Sequence, residues 1–368
     1  MTDPRIDAWA RTLVTYSVGV QPGDVVSIEG EVSARPLLAA IYRETLRAGG
    51  LPVMLPRFGE LYADLLGQGS DEQIAWISPV ERWARGEADA FIRVLGEENT
   101  KSLSGIAPER QIARKRSQGE LLKTMMERAA AGECRWTLTL YPTNAYAQDA
   151  EMATTDFTAF VFDACKLGAD DPAAAWRQQG AKQQRLVDWL AGKREIHLRG
   201  LDTDLHLTVT DRVWINCDGT NNFPDGEIFT GPAEEATEGH IRFSFPVVVD
   251  GREIHDVRLR FEGGRVVDAS ASRGEGYLLE TLDADPGARV LGEFAFGTNF
   301  DITRFTKNIL FDEKIGGTVH MALGAGYPET GSINESAIHW DLICDLREGG
   351  SVEVDGEPFM RDGRYLAS

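Results

Sequence analysis

The chain has 368 residues, a net charge of −20 and 42% apolar residues. At roughly 150 residues per domain this length suits two domains. An acid excess of this size repels phosphate backbones and anionic lipid, which argues against a nucleic-acid or membrane-surface protein. The four cysteines, Cys134, Cys165, Cys217 and Cys344, are scattered, so neither a disulfide framework nor a thiolate zinc site is expected. Met1 to Ala10 holds three charged residues and no apolar segment, and no 18-residue apolar run occurs. Neither a signal peptide nor a membrane span is expected, and the cytoplasm is the default compartment.

Taken in order, Asp3-Pro4 reads as a helix start, and Trp9, Leu13 and Tyr16 form its apolar stripe. Asp24 to Ile28 reads as a short strand. A helix follows from Ser33 and Pro36, striped by Leu38, Tyr42 and Leu46 and ended by Gly49-Gly50. Further strands are expected at 51–55, 91–95 and 136–141, with helices at 74–83 and 121–131. This βαβα rhythm predicts a mostly parallel sheet covered by helices. The turn after the first strand, Glu29-Gly30-Glu31-Val32-Ser33, has one glycine and two acids, which excludes a dinucleotide fingerprint there.

A helix at about 172–191 links the halves. Beyond it, Ile196, Leu198, Leu205, Leu207 and Val209 alternate with polar residues, as half-buried antiparallel strands do. Turn signals stand at Asp218-Gly219, Asp225-Gly226, Asp250-Gly251 and Gly263-Gly264, and a helix is expected at 274–283. The fold class is therefore an α/β N-terminal domain over 1–190 and an antiparallel β-rich α+β domain over 191–368.

All six histidines, among them His197, His206, His320 and His339, lie in the second half. His197 and His206 sit in alternating strands and read as structural. In Ser336-Ala337-Ile338-His339-Trp340-Asp341, a strand would project His339 and Asp341 to one face, a ready pair of metal ligands; the plainer reading is a surface ion pair. In Thr318-Val319-His320-Met321-Ala322-Leu323-Gly324, the apolar residues share one face. Thr318, Ala322 and Gly324 leave room beside His320 on the other. Here the plainer reading is a core histidine in a tight sheet. Glu227 follows the polar loop 221–226, and Glu293 stands alone in an apolar run. A carboxylate there needs a cation or a proton. Glu313 is either a further ligand or an exposed acid paired with Lys314. Three or more carboxylates with two histidines and no thiolate suit two hard or borderline divalent ions sharing carboxylates.

The segments NFPDGEIFTGP (222–232), LGEFAFGTN (291–299), NILFDEKIGGTVHMALGAGYPETG (308–331) and SAIHWD (336–341) resemble the M29 metallopeptidases, the aminopeptidase T group. The resemblance covers essentially the whole chain. It implies an aminopeptidase with two divalent metal ions per chain (Zn, Co, Mn or Mg), acting on peptide substrates with a free N-terminus through a bridging water. It further implies a barrel-like C-terminal domain and a homodimer. The implied ligands are Glu227, Glu293, His320, His339 and Asp341, with Glu313 matching less securely. Tyr327 matches a tyrosine that reaches the centre. Members commonly carry a Glu-Glu pair where this chain has Gly226-Glu227. Glu293 is expected to bridge the metals, and the general base is one of Glu227, Glu293 and Glu313. The alternative enzyme on this fold is a mononuclear Fe(II) ring-cleaving dioxygenase of the 2,5-dihydroxypyridine type, with His320, His339 and Asp341 as its triad. A non-catalytic scaffold would show a broken ligand set, and this one is whole.

Overall fold

The computed structural model describes residues 3–249 and 252–367. The chain forms two compact units. One comprises residues up to Ala175 together with Gly219–Pro224, the other Trp176–Asp218 together with Asp225 onward. The expected border at 190/191 falls inside the second unit, because the helix Pro172–Leu190 belongs there from Trp176.

In the first unit, helix α1 (Pro4–Thr12) starts as its sequence dictates, with Asp3 accepting the Arg5 backbone N–H and Pro4 at the first helical position. Strand β1 (Val25–Glu31), helix α2 (Arg35–Arg47) and strands β2 (Leu51–Arg57), β3 (Ala90–Leu95) and β4 (Arg135–Leu140) follow. The sheet order is β2-β1-β3-β4 with Asn222–Phe223 at the edge, and every pair is parallel. The helix expected over 74–83 is two short ones, Asp71–Ala75 and Pro79–Gly86. Ser78 before Pro79 explains the break: proline disfavours a helical residue before it, and Ser78 builds a capping box with Glu81. The helix expected over 121–131 begins earlier and spans Pro108–Ala130.

The second unit carries an eight-stranded sheet. From one edge its order is Arg265–Ser270, Val257–Glu262, Glu238–Phe243, Thr203–Thr208, Glu195–Gly200, Ser351–Val354, Glu357–Arg361 and Arg364–Tyr365. Its pairs are antiparallel, as the alternation of Ile196, Leu198, Leu205 and Leu207 requires. Among the described residues no pairing of its two edges closes it into a barrel. Gly263-Gly264 makes the expected hairpin between Val257–Glu262 and Arg265–Ser270. The turn expected at Asp250-Gly251 lies outside the described residues.

A second antiparallel sheet of five strands has the order His339–Asp345, Thr318–Gly324, Leu291–Gly297, Glu227–Thr230, Ile215–Cys217. Phe294, Phe296, Val319, Met321, Leu323, Leu342 and Ile228 join the core cluster of this unit. The alternate positions face the other way.

Candidate metal centre

Register builds the site on that other face. Residues paired across antiparallel strands point to the same side. Glu293 pairs with Ala322, Ala322 with Asp341, Gly324 with His339, Ala295 with His320, and Gly297 with Glu227. One face therefore gathers Glu227, Glu293, His320, His339 and Asp341 among Ala295, Gly297, Ala322 and Gly324. The small residues leave the volume that the long acids and imidazoles occupy. The strand periodicity that placed His320 opposite Val319, Met321 and Leu323 thus holds.

The distances divide this set into two halves. His320 Nε2 lies 3.3 Å from Glu227 Oε2 and 3.3 Å from Glu293 Oε1. His339 Nε2 lies 3.3 Å from Glu293 Oε2 and 3.6 Å from Asp341 Oδ1. Each oxygen of Glu293 thus faces a different histidine. His339 Nδ1 donates to the Ala325 carbonyl at 2.8 Å, which leaves Nε2 as the nitrogen turned to the carboxylates. Glu227 Oε2 is buried without a hydrogen-bond partner.

Lys314 is fully buried, its Nζ against the Glu313 carboxylate and 3.6 Å from Glu227 Oε1. Read as a possible surface pair in the sequence, Glu313-Lys314 is an interior one. Glu313 pairs with Lys314, and its ligand atoms lie close enough to those of His320 and Asp341 for the three to hold one ion. Tyr327 packs its ring 5.2 Å from Phe229 and 5.2 Å from His339.

Four carboxylates and three cationic or ionisable nitrogens share this low-dielectric face. Burial raises Glu227 to about 8, against the pull of Lys314. Burial alone would lower both imidazoles, but Glu293 and Glu227 hold His320 up at about 9. Asp341 and Glu293 hold His339 up at about 11. Burial and the surrounding carboxylates push the Tyr327 hydroxyl far above its usual range, so it stays protonated. Carboxylate oxygens and imidazole nitrogens face one another here at 3.3 to 3.6 Å. A divalent cation satisfies the same oxygen and nitrogen lone pairs, and the donor set, carboxylate oxygen and imidazole nitrogen, fits hard or borderline ions.

Two neighbours were not singled out in the sequence. Asp312 is buried, accepts from Thr306 N at 2.7 Å and Thr306 Oγ1 at 2.8 Å, and is pushed by burial to about 8. Gln183 donates from Nε2 to the backbone carbonyls of Cys217 and Glu227, joining the helix Pro172–Leu190 to the strand that carries Glu227. A glutamine in a polar-looking helix gives no periodic signal for that role. Gly226, at the position where the resemblance implies a second acid, has φ of 120°, and a Cβ there would lie 2.6 Å from Asn299 Cβ. Packing against Asn299 leaves no room for a second acid.

The pattern of the thermophilic metalloprotease (M29) family matches residues 2–365. The chain belongs to that family, whose activity depends on divalent metal ions. Aminopeptidase 2 of Geobacillus stearothermophilus is 28% identical over 99% of this chain and 98% of its own length. Aminopeptidase T of Thermus aquaticus is 28% identical over 80% of this chain and 81% of its own. The structure of wild-type AmpT from Thermus thermophilus superposes with a TM-score of 0.87 at 25% identity, covering 99% of both chains. The dioxygenase alternative gains no support from these relatives. It would also leave Glu227 and Glu293 without a task, although both face the histidines.

Proposed function

We propose that the chain is an aminopeptidase that releases the N-terminal residue of peptides at a centre of two divalent ions. The observation that carries the reading is Glu293, whose two oxygens face two different histidines, each accompanied by a further acid. In this reading Glu227 and His320 would hold one ion, Asp341 and His339 the other, and Glu293, with an oxygen toward each histidine, would serve both. Ions held there supply Lewis acidity for the scissile carbonyl and make water a better nucleophile near neutral pH.

The chain's own groups supply the rest. Glu313 accepts the water proton at a carboxylate oxygen, and its burial, which raises the carboxyl above its usual range, suits it to that role. Lys314 Nζ orients Glu313 and Glu227 from behind. Tyr327 keeps its phenolic proton and donates to the oxygen on which negative charge develops. A cavity of about 180 Å³ beside His339 and Asp341 is walled by Val247, Phe305, Ile309, Trp340 and Ile343. It suits a small or medium apolar side chain on the residue released, with Lys307 and Asp312 at its polar side. A homodimer, implied by the resemblance, and a cytoplasmic location belong to the same proposal, and light scattering and cell fractionation test them.

The test is a panel of aminoacyl-p-nitroanilides, each assayed after chelation and reloading with Zn, Co, Mn or Mg. Leucyl and valyl substrates are expected to be cleaved fastest. No cleavage with any metal and any residue would overturn the reading.

A further inference from the structure

The first unit contains a second buried ionic cluster, unrelated to the chemistry above. The Glu29 side chain, in the middle of β1, is 5% exposed and meets three arginines. Arg57 Nη1 lies at 2.6 Å and Arg85 Nη2 at 2.9 Å, and Arg93 closes on the same carboxylate. Arg93 also pairs with Glu31 at 3.1 Å. Three guanidinia thus share two carboxylates. Burial holds Arg93 below the usual guanidinium range, and the Arg57 and Arg85 charges add repulsion that Glu29 and Glu31 offset only in part. Desolvated positive charge of this kind favours the arrival of an anion.

There is a place for one. A cavity of about 410 Å³ is lined by the same Arg57, Arg85 and Arg93, joined by Lys115 and Gln118 from the helix Pro108–Ala130. Its one acid is Glu81, which pairs with Arg114 at 3.4 Å. Leu121 and Leu122 give the same cavity an apolar wall. Arg85 is held in place by stacking 3.9 Å from the Phe91 ring centroid. In a chain of net charge −20 a lining with four cations and one acid stands apart. Guanidinium forks match phosphate oxygens bidentately, and the volume beyond a bare oxyanion, with its leucine wall, fits a small apolar body.

We propose that this cavity binds a phosphate monoester with a small apolar body, its dianionic head held by Arg57, Arg85, Arg93 and Lys115. Glu29 acts as a built-in competitor that keeps the arginines in place when the site holds no ligand.

The experiment is isothermal titration of the metal-loaded protein with phenyl phosphate in chloride buffer at fixed ionic strength. Saturable binding at one site per chain is expected. Lys115 is exposed on its helix, so Lys115→Gln leaves the fold intact, and it is expected to weaken binding about tenfold. Glu29→Gln removes the competing charge and is expected to tighten binding by about fivefold. That opposite sign separates the site from loss of fold. Binding that neither substitution changes belongs to the metal centre and overturns the proposal. So does a linear, non-saturating heat. A site whose failure leaves peptide cleavage intact fails independently of the aminopeptidase reading.

Discussion

Each unit buries a cluster of charge on the face of a sheet, and the two clusters are balanced in opposite ways. In the first unit, burial alone would raise Glu29, yet Arg93, Arg57 and Arg85 outweigh it and hold the carboxyl below its usual range. The cluster sets three arginines against two carboxylates, Glu29 and Glu31, and so has cations in excess. In the second unit, Glu227, Glu293, Glu313 and Asp341 outnumber Lys314 and the imidazoles, and burial drives Glu227 up to about 8. That cluster lacks cations. A buried ion cluster with its counter-charges in the chain holds a fold together; one short of counter-charge waits for a ligand. The sign of the deficit names the class of ligand, metal ions for the second and an oxyanion for the first.

The strongest break in this comparison is Glu293→Gln. Glutamine keeps the size but offers one acceptor oxygen where two face the histidines. Peptidase activity is expected to fall by about a thousandfold or more, judged by the cost of losing a principal electrostatic group. Circular dichroism should stay native, and metal analysis should show a loss of bound ion. Full activity in metal-replete Glu293→Gln protein would remove it from the centre.

Next in size is Glu29→Gln in the first unit. It strips the shared carboxylate charge from three arginines and is expected to lower stability by about 3 kcal/mol at neutral pH. Because Glu29 is held below its unfolded value, its contribution is present above the unfolded carboxyl pKa of about 4.3 and lost as pH falls through the lower folded value. The gap between the wild-type and variant melting curves should therefore be constant from pH 6 to 8 and close in acid. A gap that widened in acid would contradict the assignment. Chelation should act on the second cluster alone. Metal bound at 100 times its Kd adds about 2.7 kcal/mol, so removing it should lower the melting temperature of wild-type protein while Glu29→Gln protein shows the same decrement.

Much of this was legible in the sequence, and the reasons are particular. The period-2 pattern around His320 survived because both faces of that strand are specified, by Val319, Met321 and Leu323 on one side and by small residues on the other. Glu293 was legible because a lone acid in an apolar run has few physical explanations. Lys314 was not: next to Glu313 in sequence it looks like an exposed pair, and only the fold brings Glu227 to its other side. The arginine cluster was equally hidden. Arg57, Arg85 and Arg93 are spread over 37 positions and converge on Glu29 only when β1, β2 and β3 align in parallel. The helix Pro79–Gly86 brings in Arg85. Contacts between distant strands leave no local trace.

The smallest expected effect concerns how the second cluster is held. Asp285 accepts from Ala337 N at 2.7 Å and Ser336 Oγ at 2.9 Å, and from Gly287 N at 2.8 Å within its own loop. Those bonds, the one from Ala337 foremost, hold its carboxyl below the usual range. They anchor the segment that runs directly into His339. In Asp285→Asn the amide offers one acceptor oxygen, so the bonds to one carboxylate oxygen are lost, those from Ser336 and Ala337 at Oδ2 or those from Gly287 and Ala288 at Oδ1. His339 then keeps its Ala325 bond but loses a fixed approach to Glu293. A positioning role predicts a fall of about fivefold in kcat/KM, the size of one neutral hydrogen bond, with nearly unchanged melting temperature and a weaker hold on metal. A purely structural role would lower the melting temperature and leave kcat/KM of the folded fraction unchanged. The first unit offers the control: Asp89 accepts Val25 N at 2.8 Å at the start of β1, and Asp89→Asn should change stability without touching metal affinity.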